Sequence, residues 1–264
     1  MSSKVWDALQ RSAGPGSVIW EEFHRNTKMG RFGEVAPREM VLNWMDRYTE
    51  ALDYEHKPRV PLPPRVKPLR MSLGRAVRER ETVREFDPKR PLAFEDAAAI
   101  LHYAYGVNRS NQGTEYTRPF RNAPSGGALY PLEIYFHATN IQDLAPGLYH
   151  FNPTDPCLRL LEPSDQRAGL GEILVQPELL PAAMMIFITA QFERSLFKYR
   201  DRGYRFILLE AGHVAQNMNL AATALGLGSV NIGGYFDRRA DDLLGLDGLT
   251  HSTVYMVGIG PEGG

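Results

Sequence analysis

The sequence predicts an α+β fold, and three observations lead there. A strong three- and four-residue apolar repeat runs from Tyr204 to Leu225, as in a long helix. Runs of strand-forming residues lie at Leu132 to Ala138, Ala182 to Ala190 and Val254 to Ile259. Helices and strands interleave without regular βαβ units, so a doubly wound parallel sheet is not expected. The chain has 264 residues, enough for one large core domain with an extension.

Along the chain, residues 1 to about 57 mix apolar and charged positions at roughly helical spacing. Val5, Leu9, Ile19, Phe23, Met40, Val41, Trp44 and Tyr48 are the expected buried members. Gly14-Pro15-Gly16 and Ala36-Pro37 divide the region into two or three short helices. Pro58, Pro61, Pro63 and Pro64 then exclude a helix or an inner strand, so this stretch is expected to be an extended, semi-rigid linker. The expected division is a helical extension with linker over 1–70 and a main domain over 71–264. Ser72 caps a short helix through Val77. A second helix covers Phe94 to Tyr105, with Ala97, Ile100, Leu101 and Ala104 on one face. Leu132 to Ala138 alternates as a strand. Ala145-Pro146-Gly147 is a turn leading into Leu148 to His150, with Leu158 to Leu161 as its pairing partner. In the helix from Tyr204, Ala211, Gly212, Ala215, Ala221 and Ala222 are small enough for another helix to approach closely. Gly226 is its expected stop. Ser229 to Ile232 and Val254 to Ile259 follow as strands.

Composition narrows the function. A formal net charge of -1 supplies no broad positive field, so nucleic acid is not an expected partner. The longest apolar run, Leu179 to Ala190, is too short to span a bilayer and is broken by Pro181. The single cysteine, Cys157, allows no internal disulfide, and the N-terminus is too polar for a signal peptide; both suit a cytoplasmic location. No histidine pair has metal-ligand spacing, so no metal is expected. His213 is expected to be a hydrogen-bonded core residue, and His24 has no evident partner.

Three segments carry the chemistry. In Arg80-Glu81-Thr82-Val83-Arg84-Glu85-Phe86, an extended backbone projects Arg80, Thr82 and Arg84 to one face. Two guanidinium forks and a hydroxyl suit a phosphate. In Pro124-Ser125-Gly126-Gly127-Ala128-Leu129-Tyr130-Pro131, paired glycines let a planar ligand approach the backbone. Gly226-Leu227-Gly228 through Ile232-Gly233-Gly234 follows a helix rather than opening one. The dinucleotide fingerprint mechanism therefore does not apply, and a strand ending in a second glycine pair fits better.

Together these segments resemble the nitroreductase superfamily, and most closely its SagB-type dehydrogenases, the thiazole/oxazole-forming oxidases. The resemblance covers roughly residues 71 to 260. It is carried also by Lys198-Tyr199-Arg200-Asp201-Arg202-Gly203-Tyr204-Arg205 leading into Glu210-Ala211-Gly212-His213. Glu81-Thr82 stands where the family often has Arg-Ser, and Thr82 keeps the hydroxyl. The resemblance implies an FMN-binding fold with a central mixed, mainly antiparallel sheet flanked by helices, in an obligate-type homodimer. It implies that Arg80, Thr82 and Arg84 hold the phosphate and ribityl end. Pro124, Ser125, Gly126, Gly127 and Leu129 of the partner chain would contact the isoalloxazine, with Ile232, Gly233 and Gly234 on its other side. The helix from Tyr204 to Leu225 would form the dimer core.

Lys198 and Tyr199 match the Lys-Tyr pair of the azoline oxidases. Aromatising a thiazoline or oxazoline removes a hydride, which goes to flavin N5, and a proton, which needs a base. A tyrosine is a poor base at its free pKa of about 10. A neighbouring ammonium favours phenolate, and burial favours a neutral amine, so either residue can take the proton. The expected activity is FMN-dependent oxidation of azolines in a ribosomal or nonribosomal peptide, free or carrier-bound, with O2 as acceptor and other peptide-modifying enzymes as partners. An NAD(P)H-dependent nitro or quinone reductase is the alternative enzyme. A redox-silent docking subunit of a peptide-modifying complex is the alternative without catalysis.

Overall fold

A computed structural model describes residues 19–30, 36–48, 51–113 and 118–263. The expected buried positions Val5 and Leu9 and the Gly14-Pro15-Gly16 break lie outside them, as does the side chain of Tyr48. Two helices, α1 (Ile19–Asn26) and α2 (Arg38–Tyr48), precede the proline-rich stretch. That stretch is extended as expected, but Arg59–Pro61 forms strand β1 instead of a free linker. It pairs with β6 (Cys157–Glu162) at the edge of the sheet, one of the few positions where a strand tolerates proline.

The sheet has seven strands in the order β1-β6-β5-β4-β7-β9-β8. Its central members are β5 (Gly147–Asn152), β4 (Leu132–Ala138), β7 (Met184–Gln191) and β9 (His251–Gly260), with β8 (Gly228–Ile232) at the far edge. Every neighbouring pair is antiparallel. A small separate ribbon joins β2 (Val107–Ser110) to β3 (Pro119–Arg121).

Helices cover both faces. Even-numbered residues of β4 and β7, such as Ile134, Phe136, Ile186 and Ile188, join one core. That core is closed by α4 (Phe94–Tyr105) and α7 (Asp201–Ala224). Odd-numbered residues, such as Tyr135, Met185 and Phe187, join a second core, closed by α5 (Arg167–Ile173) and α8 (Asp237–Leu244). The remaining helices are α3 (Leu73–Glu79), whose first turn is capped by Ser72 as expected, and α6 (Glu193–Tyr199). Helix α7 begins at Asp201, three residues before the expected start, because an acidic residue suits the positive end of the helix dipole. It stops as expected. Gly226 takes a φ of 72°, Gly226 N donates to Thr223 O at 3.1 Å and Leu227 N to Ala222 O at 2.9 Å, closing a Schellman cap.

The extension corrects two burial expectations. Ile19 and Met40 are exposed, and Met45 and Thr27 are buried instead. No helix among the described residues is long and apolar enough to cross a membrane.

Strand β4 is buried on both faces, so its alternation has a different meaning from the usual one of core against solvent. Glu133 lies inside the second layer and is 1% exposed. Arg194 Nη1 meets Glu133 Oε1 at 2.5 Å, and His150 Nε2 meets Oε2 at 2.7 Å. Leu52 N also donates to Oε1, at 3.1 Å. Burial alone would raise this carboxyl, but Arg194 and His150 hold it at about 2. Removing one member of a buried pair leaves an uncompensated charge. Arg194→Met is therefore expected to lower unfolding free energy by about 3–5 kcal/mol in urea titrations. The Glu133→Leu/Arg194→Met double variant is expected to lose markedly less; equal or additive losses would count against this pairing.

Candidate functional site

Lys198 and Tyr199 occupy the last turn of α6. The helix is anchored by buried Arg194 and Ser195 on its inner side. Chain direction reverses at Arg200, whose φ of 49° is unusual for a residue with a side chain. Arg200 N donates to Leu196 O at 2.7 Å, and Gly203 N to Arg200 O at 2.8 Å. Gly203 makes the corner tight: a Cβ there would lie 3.0 Å from the Ser195 backbone. The pair thus stands on a rigid corner between two helices.

The glycine turn 124–131 meets this corner within the same chain. Gly127 has a φ of 67°, and a Cβ on it would come within 2.6 Å of Tyr199 Oη and 2.9 Å of Lys198 Nζ. Gly126 rests on the Phe206 ring, where a Cβ would lie at 3.1 Å. Phe206 in turn meets the Tyr199 ring edge-on, with centroids 4.8 Å apart. Ala128 and Tyr130 also have positive φ, so the turn is held under strain. Pro124 and Gly127 are exposed, whereas Leu129 is buried. A ligand on this turn would therefore meet the backbone of Leu129 and not its side chain.

Beneath the turn lies a buried polar network that the sequence reading did not pick out. Tyr105 Oη donates to Glu210 Oε1 at 2.7 Å, and Ser125 also hydrogen-bonds Glu210. Ser125 Oγ accepts from Tyr130 N at 2.9 Å. The Arg121 guanidinium sits 4.3 Å over the Tyr105 ring and 5.1 Å over Tyr130. Its Nη2 is buried without a partner among the described residues. Burial lifts the Glu210 carboxyl to about 7, against the pull of Ser125, Tyr105 and Arg121. Glu210 appeared in the sequence only as part of a run on an apolar helix; its neighbours Ile207, Ala211 and Val214 share its buried face. His213 does not: it is exposed on the outer face of α7, which corrects the core assignment.

The first and third segments meet each other at the other end of the molecule. Val83 N donates to Ser229 O at 3.0 Å, and a Cβ on Gly228 would come within 2.7 Å of Val83 Cγ1. With Val83 turned onto β8, Thr82 and Arg84 face the opposite way and are exposed. Arg80 and Arg84 make no ion pair with a described residue. Past β8, Ile232 is buried, while a Cβ on Gly233 would meet nothing within 4 Å and one on Gly234 only Val175, at 4.0 Å. A cavity of about 750 Å³ beside Glu81 and Val83 reaches Thr223, Gly226 and Leu227.

Helix α7 measures the gap between the two groups. The glycine turn touches Phe206 near its start, and the cavity beside Glu81 and Val83 touches Thr223 near its end. At about 1.5 Å of rise per residue these positions are roughly 25 Å apart along the axis. One chain therefore holds the arginine segment and the glycine turn near opposite ends of α7.

Residues 77–261 match the profile of the nitroreductase family. The chain belongs to the nitroreductase family. It is 35% identical over 167 residues to the protein named "Putative nitroreductase MJ1384" of Methanocaldococcus jannaschii, covering 63% of this chain and 80% of that one. It is 33% identical over 144 residues to the microcin B17-processing protein McbC of Escherichia coli, covering 50% of each. The match thus spans half the length of McbC. Among solved structures it resembles the E. coli microcin synthetase McbBCD complex with truncated pro-MccB17 bound. The TM-score is 0.61 at 23% identity, over 94% of this chain and 93% of that one, which is a likeness of fold. The residues fit a flat, phosphate-bearing ligand. Two guanidinium groups are unpaired among the described residues, Gly127 is exposed backbone that seats Tyr199 Oη and Lys198 Nζ where a Cβ would clash, and the surface over Gly233 is open.

Glu210 makes the turn sensitive to pH. Its carboxyl is raised from 4.5 to about 7, so the folded chain holds a proton there that the unfolded chain releases. The resulting stability is complete below about 4.5 and lost as pH rises through about 7. Glu210→Gln is therefore expected to raise Tm relative to the parent by roughly 5 °C at pH 8 and much less at pH 5. A difference independent of pH in thermal scans would show that Glu210 does not titrate in this range.

Proposed function

We propose that this nitroreductase-family chain is an FMN-dependent dehydrogenase that aromatises azoline rings in a peptide, acting as a homodimer. We take 71–264 as its flavin-binding domain and 1–70 as its extension. The observation that carries the reading is the convergence of Lys198 Nζ and Tyr199 Oη on the bare backbone of Gly127. A proton acceptor is thereby held against a surface on which a flat ring can lie. The 33% identity to a microcin-processing protein supports a peptide as substrate, and the fold shared with a complex that holds a pro-peptide supports partner subunits.

Arg80, Thr82 and Arg84 would hold the FMN phosphate and ribityl chain, with Ile232, Gly233 and Gly234 along one side of the ring. Pro124, Ser125, Gly126, Gly127 and Leu129 would come from the partner chain. This arrangement answers the roughly 25 Å separation along α7. If two copies pack α7 antiparallel, the start of one helix lies beside the end of the other. The outward face of α7 suits such packing: Leu208 and Leu209 are 41% and 61% exposed, and Gly212 has open space above it. When bound, FMN supplies the hydride acceptor at N5. Lys198 Nζ or Tyr199 Oη takes the proton from the azoline carbon, and the tight corner at Arg200 fixes the direction of that transfer. The 35% identity to a protein named as a nitroreductase favours a second reading, NAD(P)H-dependent reduction of nitro or quinone compounds.

Purified protein is expected to absorb near ~450 nm, as bound flavin does, and to elute as a dimer. A flavin-loaded monomer in light scattering would overturn the two-chain site. Lys198→Ala and Tyr199→Phe are expected to lower azoline turnover about 10²-fold or more while keeping the flavin spectrum. Unchanged turnover would remove the pair from the mechanism. Rapid bleaching of the flavin by NAD(P)H, with no azoline product, would select the reductase reading.

A further inference from the structure

Helix α1 is fastened to the start of α7 by specific contacts across the whole chain. Arg205 Nη2 donates to His24 O at 2.7 Å, and its guanidinium lies 5.5 Å over the Phe23 ring. The Phe23 and Tyr204 rings meet edge-on at 5.6 Å. Arg202 Nη1 donates to Thr27 O at 2.9 Å. Thr27 itself is 2% exposed, and its hydroxyl donates to Phe23 O. His24 therefore does have a partner, one too distant in sequence to foresee.

These contacts set Asn26–Gly30 opposite the corner Lys198–Arg202, with a cleft of about 370 Å³ between them. One wall is the extension, and the other carries Lys198 and Tyr199. The charges lining the cleft are Lys28, Lys198, Arg200 and Arg202 against Asp201 alone. Arg202 is occupied with Thr27, but the Lys28 ammonium is exposed and makes no ion pair with a described residue. Cationic groups around a narrow cleft focus a positive potential into it, which favours an anionic ligand.

We propose that Asn26–Gly30 forms the outer wall of the substrate site and that Lys28 reads a carboxylate on the substrate chain beside the ring that reacts. The carboxylate is either an Asp or Glu side chain or the peptide's free C-terminus. The proposal rests on Lys198 and Tyr199 being the catalytic pair, and it adds a selectivity that this pair alone does not supply. An ion pair at a partly open site changes affinity several-fold, not by orders of magnitude.

The test uses full-length, flavin-loaded protein and fluorescein-labelled azoline peptides, with binding followed by anisotropy. Four peptides differ only in charge: Asp or Asn next to the azoline, each with a free or amidated C-terminus. The parent is expected to bind at least one carboxylate form about fivefold more tightly than the neutral peptide. The Asp/Asn and free/amide comparisons then identify which carboxylate is read. Lys28→Ala is expected to reduce the preference to near unity and Lys28→Glu to reverse it, while Lys89→Ala, at an exposed site elsewhere, keeps it. A parent that binds all four peptides equally, or a preference unchanged in Lys28→Glu, would overturn the proposal. Because binding is measured without turnover, the two readings fail separately. A charge preference without azoline oxidation removes the chemistry and leaves the cleft, and oxidation without a charge preference does the reverse.

Discussion

The buried ion pair of Glu133 with Arg194 is the contact on which the rest of the arrangement depends. Glu133 sits on the strand at the centre of the sheet, and Arg194 on the helix that ends in Lys198 and Tyr199. His150 holds the second carboxylate oxygen from the neighbouring strand, and Leu52 N reaches the first from the segment before β1. One carboxylate thus ties the sheet, α6 and the approach to the proline-rich strand to a common point. Such a cluster is a weak source of net stability, because desolvation offsets much of the attraction. Its effect is positional. A charge that tolerates only one set of partners fixes where α6 enters, and hence where the corner at Arg200 turns.

From that corner the geometry passes to α7, which acts as a ruler. Its first turns carry Phe206 under the glycine turn and Glu210 beneath Ser125. Its last turn lies beside the cavity that Glu81 and Val83 line. Because the helix is long, the two halves of the candidate site are held apart within one chain. The same helix presents leucines and a bare glycine outward. Separation of the halves and an uncovered apolar face are therefore consequences of one element.

Much of this was legible in the sequence. Helix α4 spans Phe94–Tyr105 and β4 spans Leu132–Ala138, both as read, because their periodicities are clean and turn residues bound them. The glycine turn and the Lys-Tyr pair were legible as motifs. Their contact with each other was not, since more than seventy residues separate them. The buried charges were invisible for a different reason. Glu133, Arg194 and Glu210 look like surface residues in a run of letters, and only partners from other elements make their burial tolerable. Helix α8 has little signature in the sequence because most of Asp237–Leu244 is charged, with Ala240, Leu243 and Leu244 marking an apolar face beside buried Asp241. The prolines of the stretch that forms β1 mark it as extended, but nothing local in the sequence shows that β6 is there to receive it.

That last strand has a consequence for how the molecule behaves in a crowded solution. An open sheet edge is a template on which other chains can polymerise. Here one edge ends in Arg59–Pro61, followed by Pro63 and Pro64, residues that have no N–H with which to recruit a further strand. The other edge, β8, is shielded in part by the chain passing through Val83. A sheet guarded at both margins resists fibrillar growth, leaving its helices as the surfaces for orderly self-recognition.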